Sequence, residues 1–210
     1  MDVQSSQHVE RISPASTGWQ LLLRGGSVPL VFDAVVITVP QPQLQALLPE
    51  AAVPPALARI DYDPCWTLLW TPAAATLPPL PYAVAIEHAV LHTVIREDLK
   101  PGRSGPPRYV IHAQAGWSRQ WLESPAEMVA GTLQTEAAAW LGIAPEAHHL
   151  AAHRWRYAQV RTALGAAQCT LATGLHYASD GCLGDGISGA IESGQAAARS
   201  LLSTFSMTAA

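Results

Sequence analysis

The sequence predicts an α/β fold that combines a layer of buried strands with an antiparallel sheet. Residues 33–40 form a Val- and Ile-rich run ending at Pro40, which is typical of a strand buried on both faces. Residues 65–114 alternate strand-like segments with proline-containing loops, which favours an antiparallel sheet. Near the C-terminus, a short strand, a glycine-rich loop and a helix of small residues follow one another over 174–202.

The N-terminal region predicts a hairpin, a strand and a helix. Two strands lie within 9–23 around Ser16-Thr17-Gly18, and the second is Trp19–Leu23. After the strand at 33–40, residues 41–48 form a short helix. Pro49, Pro54 and Pro55 then open a second region.

The middle of the chain predicts a sheet with one long helix. Its strands are Cys65–Trp70, Tyr82–Glu87, His92–Ile95, Arg108–Gln114 and, later, His149–Tyr157. The helix spans 125–141, with Ser124 as N-cap, Glu127 completing a capping box and Gly142 closing the end. A short strand at 174–178 and a helix from about Ile187 to Leu202 follow, and 203–210 are expected to fray.

Composition excludes several classes of partner. A net charge of −4 and the lack of basic runs argue against nucleic acid or an anionic membrane surface as partner. No apolar stretch approaches the roughly 20 residues of a membrane span, and the N-terminus lacks an export signal, so we expect a cytoplasmic protein. Charged residues make up only 13% of the chain, which suggests apolar surface covered by a further segment, a cofactor or a partner.

Metal and nucleophile chemistry are not supported by the spacing of the candidate residues. His88 and His92 have helical ligand spacing, but they lie in strand-like sequence, where they would be roughly 13 Å apart. Three cysteines without CxxC spacing predict ordinary thiols and no metal. No Gly-x-Ser-x-Gly elbow is present for a hydrolase, and Ser188 lacks the required spacing.

The most informative stretch is the strand, loop and helix at 174–202. Glycines at 184, 186 and 189 allow close approach of the backbone to a ligand, and a helix start offers free N–H groups with partial positive charge. These glycines also satisfy GxGxxG, but no later strand and acidic residue follow, as a dinucleotide fingerprint requires. A tight turn with close helix packing is therefore the alternative interpretation of this loop.

Asp180, the loop after it and Gly189-Ala-Ile-Glu-Ser-Gly194 resemble the closing flavin-binding motif of the FAD amine-oxidase superfamily. Within that superfamily, the segment from His153 to Val160 is similar to renalase and its bacterial relatives. The resemblance implies a partial FAD/NAD(P)-binding three-layer domain from residues 1–50 and 158–204. It further implies a substrate-binding antiparallel sheet with a helix at 51–157, and a frayed tail at 205–210.

The same resemblance assigns roles to individual residues. Asp180 would bond to the ribityl or pyrophosphate part of FAD, Gly186 and Ile187 would present backbone to the flavin ring, and Val9 would lie beside the adenine. Trp155 and Tyr157 share one face of their strand and could wall the substrate pocket, or they could be core aromatics. The residues identify no catalytic acid or base.

The implied activity is hydride transfer from a small dihydronicotinamide-type substrate to FAD, with oxygen as acceptor. Amine oxidation is the alternative within the superfamily, and a truncated, non-catalytic binding or vestigial protein is an alternative of another class. Nothing before Val9 resembles the strand, GxGxxG turn and helix that hold the FAD pyrophosphate in the family. We therefore expect the isolated chain to bind FAD weakly or not at all, to be inactive, and to need a separate N-terminal dinucleotide-binding segment as partner.

Overall fold

The computed structural model describes residues 2–26, 28–48, 53–73, 77–184 and 186–208, with side chains up to residue 205. The chain divides into two compact units, Met1–Tyr62 with Val160–Ala210, and Asp63–Gln159. From the sequence we expected boundaries after residues 50 and 157. The observed boundaries lie within the long strands at 61–72 and 147–162.

The first unit opens with a three-stranded antiparallel sheet. Strands β1 (Val9–Pro14) and β2 (Trp19–Leu23) form the predicted hairpin, and β3 (Leu30–Phe32), which the sequence did not reveal, pairs with β2. Gly18 has a φ of +73°, and a Cβ at this position would collide with the carbonyl oxygen of Phe32. The turn therefore requires glycine for both its conformation and its packing.

A second small sheet in this unit contains a parallel pair of strands. Strand β4 (Val35–Ile37) is parallel to β11 (Leu175–Tyr177), and β10 (Cys169–Ala172) lies antiparallel on the far side of β11. The expected eight-residue strand buried on both faces is thus wrong in length and burial. Among the described residues β4 is an edge strand, and Val35 and Val36 are only partly buried.

Three α-helices accompany these sheets. The predicted α1 spans Gln41–Leu47, α4 is a single turn over Asp180–Leu183, and α5 spans Gly186–Thr208. The expectation that 203–208 would fray is not met, because α5 continues through them. A short 3-10 helix spans Pro55–Arg59.

The second unit is built on a five-stranded sheet in the order β6-β7-β8-β5-β9. Its strands are β5 (Asp61–Pro72), β6 (Ala83–Ala85), β7 (Leu91–Arg96), β8 (Tyr109–Ala113) and β9 (Ala147–Thr162). The pairings of β6 with β7, β7 with β8 and β8 with β5 are antiparallel, as predicted.

One face of this sheet packs on helix α3 (Ala126–Leu141), which follows a shorter helix, α2 (Ala115–Gln120). The core contains Trp66, Leu68 and Trp70 from β5 and Val129 and Leu133 from α3, all nearly or fully buried. The predicted capping box is wrong, because Pro125 occupies the N-cap and no side chain caps the helix. The predicted closure at Gly142 is confirmed by its left-handed conformation, with φ of 66°.

Within the described ranges, no helix is both long enough and apolar enough to span a bilayer.

Candidate cofactor-binding site

The carboxyl ends of β4 and β11 meet at one edge of the small parallel sheet. The backbone N–H of Ala178, after β11, donates to the carbonyl of Ile37, at the end of β4, over 3.0 Å. Asp180 follows β11 and Gln41 follows β4, so both chain segments turn into helices at this edge. In α/β proteins, ligands bind outside the carboxyl ends of parallel strands.

Asp180 is held in a fixed position at the start of α4. Ser179 is the N-cap, and its Oγ accepts a hydrogen bond from the Gly181 backbone N–H at 3.1 Å. The same N–H donates to Oδ1 of Asp180 at 2.8 Å. The carboxylate is half-buried, so its remaining acceptor positions are available to a hydroxyl-bearing ligand.

The buried hydroxyl groups of Ser179 and Tyr177 form a hydrogen-bonded cluster at this turn. Ser179 Oγ donates to the hydroxyl of Tyr177 at 2.8 Å, and both residues are buried. Burial is the main cause that raises the pKa of Tyr177, and burial also raises the pKa of the neighbouring Tyr62. Both phenols are therefore neutral at physiological pH, and they act as structural hydrogen-bonding groups.

The predicted glycine-rich loop contains the helical turn α4 followed by the start of α5. Gly184 closes α4 in the left-handed conformation with φ of 77°, and Gly186, the first residue of α5, has φ of 54°. A Cβ at Gly186 would meet nothing within 4 Å. Gly186 is thus required for backbone conformation, and it leaves open space at the N-terminus of a long helix, where the helix dipole favours an anion.

Ile187 extends from this helix start into solvent, with 82% of its surface exposed. An isoleucine so exposed contributes nothing to the core of its unit, although its backbone lies in the first turn of α5.

Val9 lines a cavity of the first unit, with a volume of about 910 Å³. One wall consists of β4 and the two residues after it, Thr38 and Val39, and α1 contributes a second side. Arg24 lies at this cavity and contacts Glu10 at 3.3 Å and His8 at 2.9 Å. The cavity therefore combines an apolar wall with a hydrogen-bonded polar rim, which suits a flat heteroaromatic ring.

Trp155 and Tyr157 belong to the second unit, on β9. Trp155 is 53% exposed and packs edge-on against His153, with ring centroids 4.4 Å apart. Arg154, on the other face of the strand, donates to the carbonyl of Leu122, and its guanidinium lies 5.9 Å from the Trp66 ring centroid. Side chains alternate along a strand, so Trp155 and Tyr157 lie on the face away from the helices.

The residues considered for metal binding have other partners. Nδ1 of His88 accepts from the backbone N–H groups of Val90 and Leu91, and its Nε2 lies 3.7 Å from Glu136. In the described part of the chain, no group of three or more His, Cys, Asp or Glu residues could hold a metal ion. Cys65, Cys169 and Cys182 are free thiols, as expected.

Sequence reasoning missed Gln41, Tyr62 and Tyr177 at this edge. Gln41 is 4% exposed, and its side-chain Nε2 has no hydrogen-bond partner among the described residues. A buried donor without an acceptor is costly, and such a group is common where a ligand or water completes the site. The signal available in the sequence was its position directly after the β4 strand, at the start of a helix.

The comparison with protein families identifies one match, the flavin containing amine oxidoreductase model, which covers residues 1–202. This match spans both units and includes every nominated residue.

Solved structures with the same fold include several oxidases. A structure described as a protoporphyrinogen oxidase from Exiguobacterium sp. 255-15 is 19% identical, with a TM-score of 0.69 over 93% of this chain and 46% of that one. Cyclohexylamine oxidase from Brevibacterium oxydans IH-35A is 13% identical, with a TM-score of 0.64 over 94% and 48%. A redesigned putrescine oxidase is 14% identical, with a TM-score of 0.60 over 94% and 48%. The predicted mixed α/β fold is confirmed, and the chain spans about half the length of these structures.

Proposed function

We propose, from the premise that this chain belongs to the flavin containing amine oxidoreductase family, that it provides the flavin-facing and substrate-binding parts of a renalase-like FAD-dependent oxidoreductase. The substrate would be a small dihydronicotinamide-type molecule, oxidised by hydride transfer to the flavin with oxygen as acceptor. The observation that carries the proposal is the placement of Asp180 after β11, at the carboxyl edge of a parallel pair, with α4 leading from it to the start of α5.

The residues at this edge fit a flavin cofactor. Asp180 offers carboxylate oxygens to ribityl hydroxyl groups, and Gly186 leaves open space where a ring could approach the backbone. Gln41 supplies a buried donor that lacks an acceptor in the described chain. The cofactor supplies the hydride acceptance and oxygen chemistry, so these residues need only bind and orient it.

The start of α5 gives this site its electrostatic character. The first N–H groups of a helix have no partner within the helix, and together with the helix dipole they amount to about half a positive charge. That field stabilises negative charge near Gly186 and Ile187. We therefore assign to α5 the task of favouring the anionic, reduced state of the ring system.

Val9 and its cavity provide the proposed site for the adenine end. The polar rim formed by His8, Glu10 and Arg24 lies beside Val9, which begins β1. β1 is followed by a hairpin rather than by a helix, so its turn offers no helix N-terminus to the two phosphates of FAD.

We therefore propose that a separate dinucleotide-binding segment completes the site by adding a strand to β4. In β4, the N–H of Val35 bonds to the carbonyl of Gly174, and the carbonyl of Ile37 accepts from Ala178. Because backbone groups alternate sides along a strand, the N–H and carbonyl of Val36 point to the edge away from β11. On that edge the described residues supply no pairing strand.

The exposed face of α5 supports the same partner. Ile187, Ile191, Leu202 and Phe205 are 82%, 57%, 68% and 44% exposed. At 100° per residue they fall within roughly 60° of one another on the helix surface. The opposite face, with Ser193 and Ala197, is fully buried in its own unit. A second apolar face on one helix is a typical site for another polypeptide segment.

The test uses the full chain fused behind the strand, glycine turn and helix of a solved family neighbour, loaded with FAD and kept anaerobic. We expect 1-benzyl-1,4-dihydronicotinamide to bleach the flavin absorbance, and cyclohexylamine to leave it unchanged.

Trp155→Ala should raise KM for the dihydronicotinamide several-fold without loss of stability, because the ring is 53% exposed. Leu150→Ala, at an exposed position on the other face of β9, is the matched control.

Amine oxidation is the second candidate, favoured by the cyclohexylamine and putrescine oxidases among the structural neighbours. Bleaching by the amine and not by the dihydronicotinamide would replace the first proposal with this one. Flavin binding without bleaching by either compound would point to the non-catalytic alternative.

A further inference from the structure

A second cavity lies in the other unit, at the end of β5 and the start of β8. It has a volume of about 380 Å³, and its walls include Leu69, Trp70 and Val110 as apolar surface and Arg103 and Arg108 as charged surface. The segment between β7 and β8 that supplies the arginines carries four basic residues and two acids over 96–108, a net charge of +2. This cavity has no part in the flavin proposal.

Both acids of that segment are already neutralised. Glu97 is paired through one oxygen with Lys100 at 2.5 Å and through the other with Arg103 at 2.9 Å. Asp98 accepts from Arg96 at 3.0 and 2.6 Å, and Oδ1 also accepts from the Arg108 backbone N–H. No acidic oxygen therefore remains to balance Arg108, whose guanidinium donates to the carbonyl of Ser104 at 3.2 Å.

Two residues of the cavity wall carry buried donors without acceptors. Nε1 of Trp70 and Nε of Arg108 have no hydrogen-bond partner among the described residues. Trp70 is 1% exposed, and its ring lies 5.9 Å from that of Tyr109. Buried N–H groups are almost always paired in native proteins, so two in one wall indicate that an acceptor is missing there.

We propose that this cavity binds a small organic carboxylate with an apolar or aromatic body. The guanidinium groups of Arg103 and Arg108 match a carboxylate, which accepts two parallel N–H bonds. Leu69 and Val110, paired across β5 and β8, form the apolar surface for the body of the ligand. The volume lies within the range of ligand pockets for small molecules.

Isothermal titration of the full chain with benzoate tests this assignment. We expect one saturable site, and binding at least tenfold weaker in Arg103→Gln and in Arg108→Gln. Arg119→Gln is the matched control, because Arg119 and Arg103 have side chains equally exposed at 50%, and Arg119 pairs with Asp63 outside the cavity wall. Benzoate affinity in that variant should equal the wild-type value.

Two further probes separate the parts of the proposal. Benzamide has the same ring without the charge and should not bind measurably, whereas equal binding of benzamide and benzoate would overturn the carboxylate assignment. Inorganic phosphate should bind more weakly than benzoate. Equal or tighter binding of phosphate would refute the proposal that the ligand has an apolar or aromatic body. Unchanged benzoate binding in folded Arg103→Gln and Arg108→Gln proteins would refute the location.

Discussion

At Gly181, in the α4 turn, the local packing accommodates no side chain. A Cβ would lie 2.5 Å from the Tyr62 hydroxyl oxygen and 2.9 Å from Cγ2 of Ile60. We expect Gly181→Ala to lower the free energy of unfolding by roughly 1–3 kcal/mol, the usual cost of overpacking. Gly194→Ala, where a Cβ in α5 meets nothing within 4 Å, should instead raise it by roughly 0.5–1 kcal/mol. Urea denaturation measures both, and equal effects would contradict the packing argument.

Asp98 predicts a pH dependence of stability. Hydrogen bonding to Arg96 is the main cause that lowers the pKa of Asp98 from 3.8 to about 2. Because the pKa is lowered in the folded state, this contribution is fully present above pH 4 and is lost as the pH falls through about 2. Asp98→Asn should therefore cost roughly 1–2 kcal/mol at pH 6, and less at pH 2.5. Urea unfolding at the two pH values measures this change, with the exposed Asp33→Asn as control; a pH-independent cost would contradict it.

At the scale of elements, two serines that precede helices differ in whether the side chain caps the helix. Ser179 caps α4 and donates to Tyr177, whereas no side chain caps α3 after Ser124. Ser179→Ala should lower the free energy of unfolding by roughly 1–2 kcal/mol, because it removes a cap and a buried hydrogen bond. Ser124→Ala should change it by less than about 0.5 kcal/mol. Chemical denaturation of both variants measures these changes. A larger loss of unfolding free energy for Ser124→Ala than for Ser179→Ala would show that Ser124 does cap α3.

The elements that the sequence predicted well are those whose local signals agree with their packing. The β1–β2 hairpin has its turn glycine, and α3 has its apolar stripe and its Gly142 end. The elements that it missed, such as β3 and β10, are short strands that exist because a neighbouring strand pairs with them. The long run at 33–40 was overestimated because it is an edge strand, so pairing with β11 alone orders only Val35–Ile37.

The candidate site divides in the same way. Asp180 and Gly186 could be nominated from the sequence, because an acid and glycines before a small-residue helix carry a local signal. Gln41 and Tyr62 could not, since they reach the site through the meeting of strand ends that are distant in the chain. Their roles as buried donor and support depend on burial, which the sequence pattern does not specify at single polar positions.

At the scale of the whole molecule, two exposed features of the first unit fit the same proposed partner. The outer edge of β4 presents the N–H and carbonyl of Val36, and α5 presents an apolar face from Ile187 to Phe205. A parallel strand normally has neighbours on both sides and helices over both faces. These features support the proposed further polypeptide segment as partner.

Flavin binding should therefore depend on the added segment and on the β4 edge. We expect the isolated chain to show no saturation with FAD at micromolar concentration in a flavin fluorescence titration. The fusion with a strand, glycine turn and helix should bind at least tenfold more tightly, because its backbone N–H groups meet the two phosphates. Val36→Pro removes the outward N–H of β4 and should abolish this gain, while the bonds of Val35 and Ile37 to the β11 side remain. Val35→Pro, which removes the inward N–H to Gly174, should instead destabilise the chain with or without the fusion. Stoichiometric FAD binding by the isolated chain, or full binding by the Val36→Pro fusion, would show that the site is complete without strand addition.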